Sequence, residues 1–437
     1  MLAALLLLIM LTEGPQPSAA ASLAAAKSIE PPSAVRRHAA RMVDYAFVDA
    51  RLKRLMADEN KVGLAVGIVE DGQITYLRGY GETLDGTGDP VTADTVFRWA
   101  SVSKGVASTL VAKLAADGKL SLQDPVALYA RSLRLPAGGE QKATVADVLT
   151  HRLGIFSNAQ DSKLEDGGDP RFLRSMLATL TPICPIGSCH AYQNLAYDAS
   201  SETVEKVTGK PYDDVAVERL FAPLGMESAT VGRAGLIGAA SWARPHNAAG
   251  TPQPRGLSEA YYRVPASGGV NSSIRDLTRW MQAQMGEAPN ALPAKLLRTL
   301  HAPRVKTPIE ERRQRKFRDR IGDSRYALGW RVYDYAGHRV VGHRGGVSGY
   351  RALMLFDPDK RSGIAALWNT SDGQPAGIEF EVMDMIYGLD RRDWLALDTP
   401  QAVPHPQAPA LDAAATARSD TDATGAAAIS TRAQIGR

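Results

Sequence analysis

The sequence predicts an α+β fold. An antiparallel sheet is drawn from both ends of the chain and flanked by helices, and an all-helical subdomain is inserted between those ends. Three observations point to this. Strand-like runs open the body of the chain, GLAVGIV and QITYLRGYG, within residues 63–81. Strand-like runs also close it, GWRVYDY, HRVVGHRGG, YRALMLFDP and SGIAALW, within residues 329–368. Between them, residues 119–300 read as helices and loops.

The chain has 437 residues, 44% hydrophobic and 22% charged, which is ordinary globular composition with ample length for a core. A formal net charge of +4 is small for this length, and no nucleic-acid-binding motif is present, so nucleic acid is not an expected partner. An apolar run from Leu2 to Leu11, a breaker and then small residues follow the pattern of a secretory leader, assigned to residues 1–26. No Lys or Arg precedes that run, and it is too short to span a bilayer. An exported protein, periplasmic or secreted and without stable membrane insertion, is therefore expected.

The folded domain is expected over 27–398, with a sheet part from 33–100 and 320–390 and a helical part over 101–319. Its first element is an amphipathic helix within 33–58, with Val43, Phe47, Leu52 and Leu55 at helical spacing. The hairpin follows, turning at Glu70-Asp71-Gly72. From Ser101 to Asp117 a helix carries Val102, Val106, Leu110 and Leu114 on one stripe and alanine elsewhere, and Gly118 ends it. A helix apolar nearly all round is a buried one, yet Lys104 lies in its first turn. Turns are expected at Asp124-Pro125, Pro223 to Gly225 and Pro265 to Gly269. The closing strands form a meander with turns at Ala336-Gly337 and Asp357 to Asp359, and a helix over 377–388 follows. Residues 399–437 are rich in Ala, Pro, Thr and Asp, the composition of a disordered tail.

The two cysteines lie in CPIGSCHAYQN, residues 184–194. Cys-x4-Cys-His is compatible with a disulfide, a redox pair, free thiols, a metal site or a stretched haem-attachment motif. Haem attachment uses Cys-x-x-Cys-His, and zinc needs further ligands. In an exported chain a Cys184–Cys189 disulfide is favoured, stiffening the segment that delivers Tyr192.

Ser101 and Lys104 form a Ser-x-x-Lys pair. Positions i and i+3 share a helix face, so hydroxyl and amine point the same way. Burial lowers a lysine pKa and lets the amine act as a base. Alone this pair is a weak signal. Tyr192-Gln193-Asn194 and then His343-Arg344-Gly345 follow it in order.

With these three motifs the chain resembles the β-lactamase and penicillin-binding superfamily of serine hydrolases, in the branch of class C β-lactamases, D-Ala-D-Ala carboxypeptidases and related esterases. The resemblance runs from about residue 60 to 390, through VFRWASVSKGV, VADVLTHRLGI, PASGGVNSSIRDLTRW, YALGW and VVGHRGGVSGYRALMLFDPD. It implies a three-layer α/β/α body with the site between sheet part and helical part, and an enzyme that needs no metal or organic cofactor. Ser101 is then the nucleophile that forms an acyl-enzyme, with Lys104 and Tyr192 together as general base. Asn194 orients Lys104 or the substrate, and His343 hydrogen-bonds substrate or the tyrosine oxygen. Gly345 leaves room for substrate along the strand, and the backbone N–H groups of Ser101 and Gly346 form the oxyanion hole.

The implied substrate is a small molecule or a cell-wall peptide or ester: a D-amino-acid peptide, a carboxylic ester or a β-lactam. His343-Arg344-Gly345 in place of Lys-Thr-Gly favours peptidase or esterase over efficient β-lactamase activity, and Gln193 and Ile186 are expected to reshape the mouth of the cleft. The alternative is a catalytically weak penicillin-binding or scaffold protein of the same fold, which the intact Ser101, Lys104 and Tyr192 disfavour. His151 in LTHRLG reads as scaffold, and Arg344 points away from the site by strand alternation. The basic stretch 304–320 reads as a solvated face or as a lip for anionic surfaces.

Overall fold

The computed structural model describes residues 41–247 and 251–398. The leader, the tail and the first residues of the 33–58 helix expectation lie outside the described residues.

The helix Tyr45–Met56 begins where Asp44 accepts a hydrogen bond from the Phe47 N–H, and it buries Val48, Leu52 and Leu55. Strands β1 (Gly63–Glu70) and β2 (Gln73–Gly81) form the expected hairpin. Its loop residues Asp71 and Gly72 both have positive φ, 45° and 76°, as a tight two-residue hairpin turn requires. The meander consists of β8 (Arg331–Tyr335), β9 (His338–Val347), β10 (Tyr350–Asp357) and β11 (Ser362–Trp368), followed by the helix Ile378–Tyr387. With β6 (Val305–Lys306) and β7 (Ile321–Tyr326) at one edge, the sheet runs β2-β1-β11-β10-β9-β8-β7-β6, so β1 pairs with β11 and joins the two ends of the chain.

Alternation along these strands feeds two separate cores. Leu64, Val66, Ile68, Leu353, Leu355, Ile364 and Ala366 pack under the first and last helices. Ala65, Met354, Phe356, Ala365 and Leu367 face the other way, toward Val106, Leu110, Leu277 and Trp280. The outcome is helices on both faces of one antiparallel sheet. Gly67 is needed for close approach on the second face, because a Cβ there would lie 2.0 Å from Thr278 Oγ1 of the helix Ile274–Gln284.

The inserted part is mostly helical, but strands that periodicity did not reveal lie within it and at its borders. β3 (Val96–Arg98), β5 (Val270–Ser273) and β4 (Thr230–Val231) form a second, three-stranded sheet. β5 reads Val-Asn-Ser-Ser and is buried throughout, so neither its composition nor its pattern signals a strand. β6 (Val305–Lys306) and β7 (Ile321–Tyr326) extend the main sheet. The expected turn at 265–269 is a short helix, Pro265–Gly268. The basic stretch 304–320 is partly internal: Thr307, Gln314 and Phe317 are buried, Glu310 pairs with Arg331 and Arg320 with Asp384. Most of its other basic side chains are exposed.

Candidate active site

Ser101 sits where β3 gives way to a buried helix. The Trp99 N–H donates to Val270 O of β5 at 2.9 Å. Ala100 then adopts φ 47°, a left-handed conformation that costs a non-glycine residue about 1 kcal/mol. A 3-10 turn, Ala100–Val102, leads into the helix Ser103–Ala116. Strand β9 crosses against this turn. A Cβ on Gly345 would lie 2.3 Å from Trp99 O and 2.9 Å from Ser101 N. The room at Gly345 is therefore taken by the Ser101 turn rather than left for substrate, which corrects the expectation for that residue.

Lys104 is fully buried. Its Nζ lies 2.7 Å from Asn194 Oδ1, 3.0 Å from Ser267 O and 3.5 Å from Ser101 Oγ. Burial pulls its pKa down to about 7, against the opposing charges of Asp161 and Asp198. The amine also stands 4.8 Å from the Tyr192 ring centre and 5.4 Å from that of Tyr197.

Tyr192 reaches the site from a braced loop. Cys184 and Cys189 form a disulfide with Cα atoms 6.3 Å apart. The segment His151–Gly154 clasps that loop. His151 O accepts from the Ala191 N–H, Arg152 O from Gly187 and Gly154 O from Ile183. The His151 ring lies 4.3 Å from that of Tyr192, and its Nδ1 accepts the Gln193 N–H at 3.1 Å. The Tyr192 hydroxyl is buried and has no well-formed hydrogen bond among the described residues. Burial raises its pKa, and the neighbouring Ser101 hydroxyl opposes that rise. Gln193 points inward and donates to Phe156 O, so it braces the 154–158 loop from within.

His343 lies on the site side of β9, but it bonds neither Tyr192 nor open space. Its Nδ1 is 2.7 Å from Arg344 O and its Nε2 is 3.0 Å from Tyr326 Oη. Burial, with Arg331 and Lys104 nearby, holds its pKa well below the usual histidine range, so the ring is neutral. Arg344 points to the opposite face and pairs with buried Glu379. β8 ends opposite Gly342, so residues 343–347 of β9 pair only with β10. Gly346 is exposed on that stretch.

Four residues of the arrangement carry no signal in the sequence motifs. Ser267 offers its carbonyl to Lys104 and donates its hydroxyl to Asn194 O at 2.7 Å. Asp161 accepts from Asn194 Nδ2 at 2.6 Å. Tyr326 links His151 to His343. Arg331 stands 5.8 Å over the Tyr192 ring. Ser267, Tyr326 and Arg331 lie in segments already marked as PASGG, YALGW and GWRVYDY, but nothing in those segments singles them out, and the segment of Asp161 is unmarked.

A serine at the head of a buried helix, a desolvated lysine one turn on, a tyrosine from a second element and an open strand edge beside them are the kind of parts a serine hydrolase uses. The chain belongs to the Beta-lactamase family, whose model matches residues 48–383. It is 27% identical over 367 residues to the D-alanyl-D-alanine-carboxypeptidase/endopeptidase AmpH of Escherichia coli (strain K12), covering 75% of this chain and 86% of that one. It is 26% identical over 323 residues to the unguisins hydrolase ungD' of Aspergillus campestris, covering 71% of this chain and 58% of that longer protein. The octameric penicillin-binding protein homologue from Pyrococcus abyssi shares the fold, with TM-score 0.71 and 24% identity over 81% of this chain and 80% of that chain. Among the described residues no helix is long and apolar enough to cross a membrane.

Proposed function

We propose that this protein is an exported serine hydrolase that opens an amide or ester through an acyl-enzyme on Ser101, with residues 27–398 as the catalytic domain. The observation that carries this is the geometry at Lys104. As an ammonium it spends its three protons on Asn194 Oδ1, Ser267 O and Ser101 Oγ. When it loses one, the amide and carbonyl oxygens keep their two N–H bonds, and the lone pair is left facing Ser101. A pKa of about 7 makes that form abundant at neutral pH.

Lys104 then takes the Ser101 proton as Oγ bonds to the substrate carbonyl carbon. The oxyanion is held by the N–H groups of Ser101 and Gly346. Tyr192, a neutral phenol beside Ser101, passes its proton to the leaving amine or alkoxide and recovers one from Lys104. Water repeats the sequence on the acyl-enzyme and frees Ser101.

A D-amino-acid peptide or carboxylic ester fits better than a β-lactam. A β-lactam brings a carboxylate, and the neutral, fully hydrogen-bonded His343 offers it no positive charge. The endopeptidase part of the Escherichia coli relative's name agrees with this, whereas a carboxypeptidase substrate carries a terminal carboxylate and meets the same lack of charge.

The test is intact mass after incubation with a fluorescent penicillin and, separately, with a p-nitrophenyl short-chain ester, for wild type and Ser101→Ala. Ester turnover without a stable penicilloyl adduct, lost in the variant, is expected. A long-lived adduct would instead indicate a penicillin-recognising peptidase. Neither adduct nor turnover would favour a scaffold protein.

A further inference from the structure

We propose that Asp161 is a positioning residue of this site, fixing the Asn194 carboxamide so that the lone pair of neutral Lys104 stays available to Ser101. The inference rests on the Lys104 reading above. Asp161 opens the short helix Asp161–Glu165, behind a left-handed Gln160, and is buried. Its Oδ2 accepts Asn194 Nδ2–H at 2.6 Å, and Asn194 Oδ1 meets Lys104 at 2.7 Å.

The chemistry of the three groups decides why this order matters. A carboxylate only accepts, so it holds the amide nitrogen on its own side. Lys104 is different in its two states: charged it only donates, neutral it can also accept. With Asp161 absent, the amide of Asn194 is free to turn over when Lys104 loses its proton. Its N–H would then bond the new lone pair and quench the base. Asp161 forbids that flip in both states of the lysine.

The same carboxylate supplies charge. Lys104 faces Asp161, Asp198 and Arg331, with the rings of Tyr192 and Tyr197 beside it. Asp198 is already committed to Arg174 at 2.7 Å and to the Ala266 N–H at 2.9 Å. Asp161 has Asn194, Tyr261 and Glu165 as neighbours, and Glu165 takes the Tyr261 hydroxyl at 2.9 Å. Burial raises the Asp161 pKa to about 6, which still leaves it ionised at neutral pH.

Asp161→Asn keeps an oxygen for Asn194 but removes the charge, whereas Asp161→Ala removes both. With a p-nitrophenyl ester, Asp161→Asn should lower kcat several-fold and Asp161→Ala by about 30-fold or more, with KM within about twofold in both. The acid limb of kcat/KM should move to lower pH in Asp161→Asn, because a lysine that loses an anionic neighbour is easier to deprotonate. A readout that needs no turnover is the Lys104 titration followed by NMR on protein carrying 13C-labelled lysine. Its midpoint should fall in Asp161→Asn, with circular dichroism unchanged. An unchanged midpoint, or a loss carried in KM with kcat intact, would overturn the proposal. Absence of Ser101-dependent turnover in the wild type would sink the hydrolase reading instead and leave the lysine titration to judge Asp161.

Discussion

Tyr326 Oη lies 3.0 Å from His343 Nε2, and this contact sets the direction of a buried hydrogen-bond chain through the site. His343 Nδ1 faces the Arg344 carbonyl at 2.7 Å and must carry the proton, so Nε2 accepts from the tyrosine. At the other end His151 Nδ1 accepts from the Gln193 N–H, so His151 Nε2 donates to Tyr326 Oη at 3.3 Å. Every donor finds one acceptor. The chain ties the loop bearing Tyr192 to strand β9, and burial keeps both rings neutral.

Removing the middle of that chain strands a ring nitrogen at each end. Tyr326→Phe should therefore destabilise the fold by about 1–3 kcal/mol, read from urea denaturation. Nitrogen NMR of the wild type should show His151 as the Nε2–H tautomer and His343 as the Nδ1–H tautomer. The opposite tautomer at His343 would break the chain as drawn.

The pH profile tests Lys104. Its basic form is the deprotonated one, so turnover is present above a pKa of about 7 and lost as pH falls through it. The same depression opposes folding, since the unfolded chain holds the lysine proton more tightly. That penalty grows as pH falls from 10.5 toward 7. Lys104→Met should lower kcat about a hundredfold or more while raising the melting temperature at neutral pH. A variant that is both slow and less stable would contradict the account of a desolvated amine.

Two of the three glycines of β9, Gly345 and Gly346, should behave oppositely. A side chain at Gly345 collides with Trp99 O and displaces Ser101 N, so Gly345→Ala should cost about a hundredfold in kcat/KM. At Gly346 the three atoms nearest an added Cβ all belong to the flexible Arg351 side chain, at 3.3–3.4 Å, so Gly346→Ala should keep the wild-type melting temperature. Equal activity losses with equal stability losses would place both residues in the same structural role.

Much of the fold is legible in the chain because its signals are local. Gly63–Glu70 and Gln73–Gly81 announce a hairpin through the Asp71-Gly72 turn, and the closing meander repeats that alternation. β5 is not legible, because Val-Asn-Ser-Ser is held by partners far away in sequence: Val96–Arg98 on one side and Thr230–Val231 on the other. β7 is hidden for a related reason, since the polar run Ile-Gly-Asp-Ser-Arg-Tyr sits near the sheet edge with only part of it buried.

The sequence by itself determined that the sheet is drawn from both ends of the chain, that Ser101 and Lys104 lie one turn apart at the head of a buried helix, and that one loop offers Tyr192 and Asn194. These follow from periodicity, turn chemistry and motif spacing, all of which act over a few residues. Only the tertiary structure decided that Lys104 has no contact with solvent, that Asp161 stands behind Asn194, that Tyr326 occupies His343 and that Gly345 serves the Ser101 turn. Desolvation and hydrogen-bond direction depend on what surrounds a group in space. Here those surroundings come from segments tens to hundreds of residues apart.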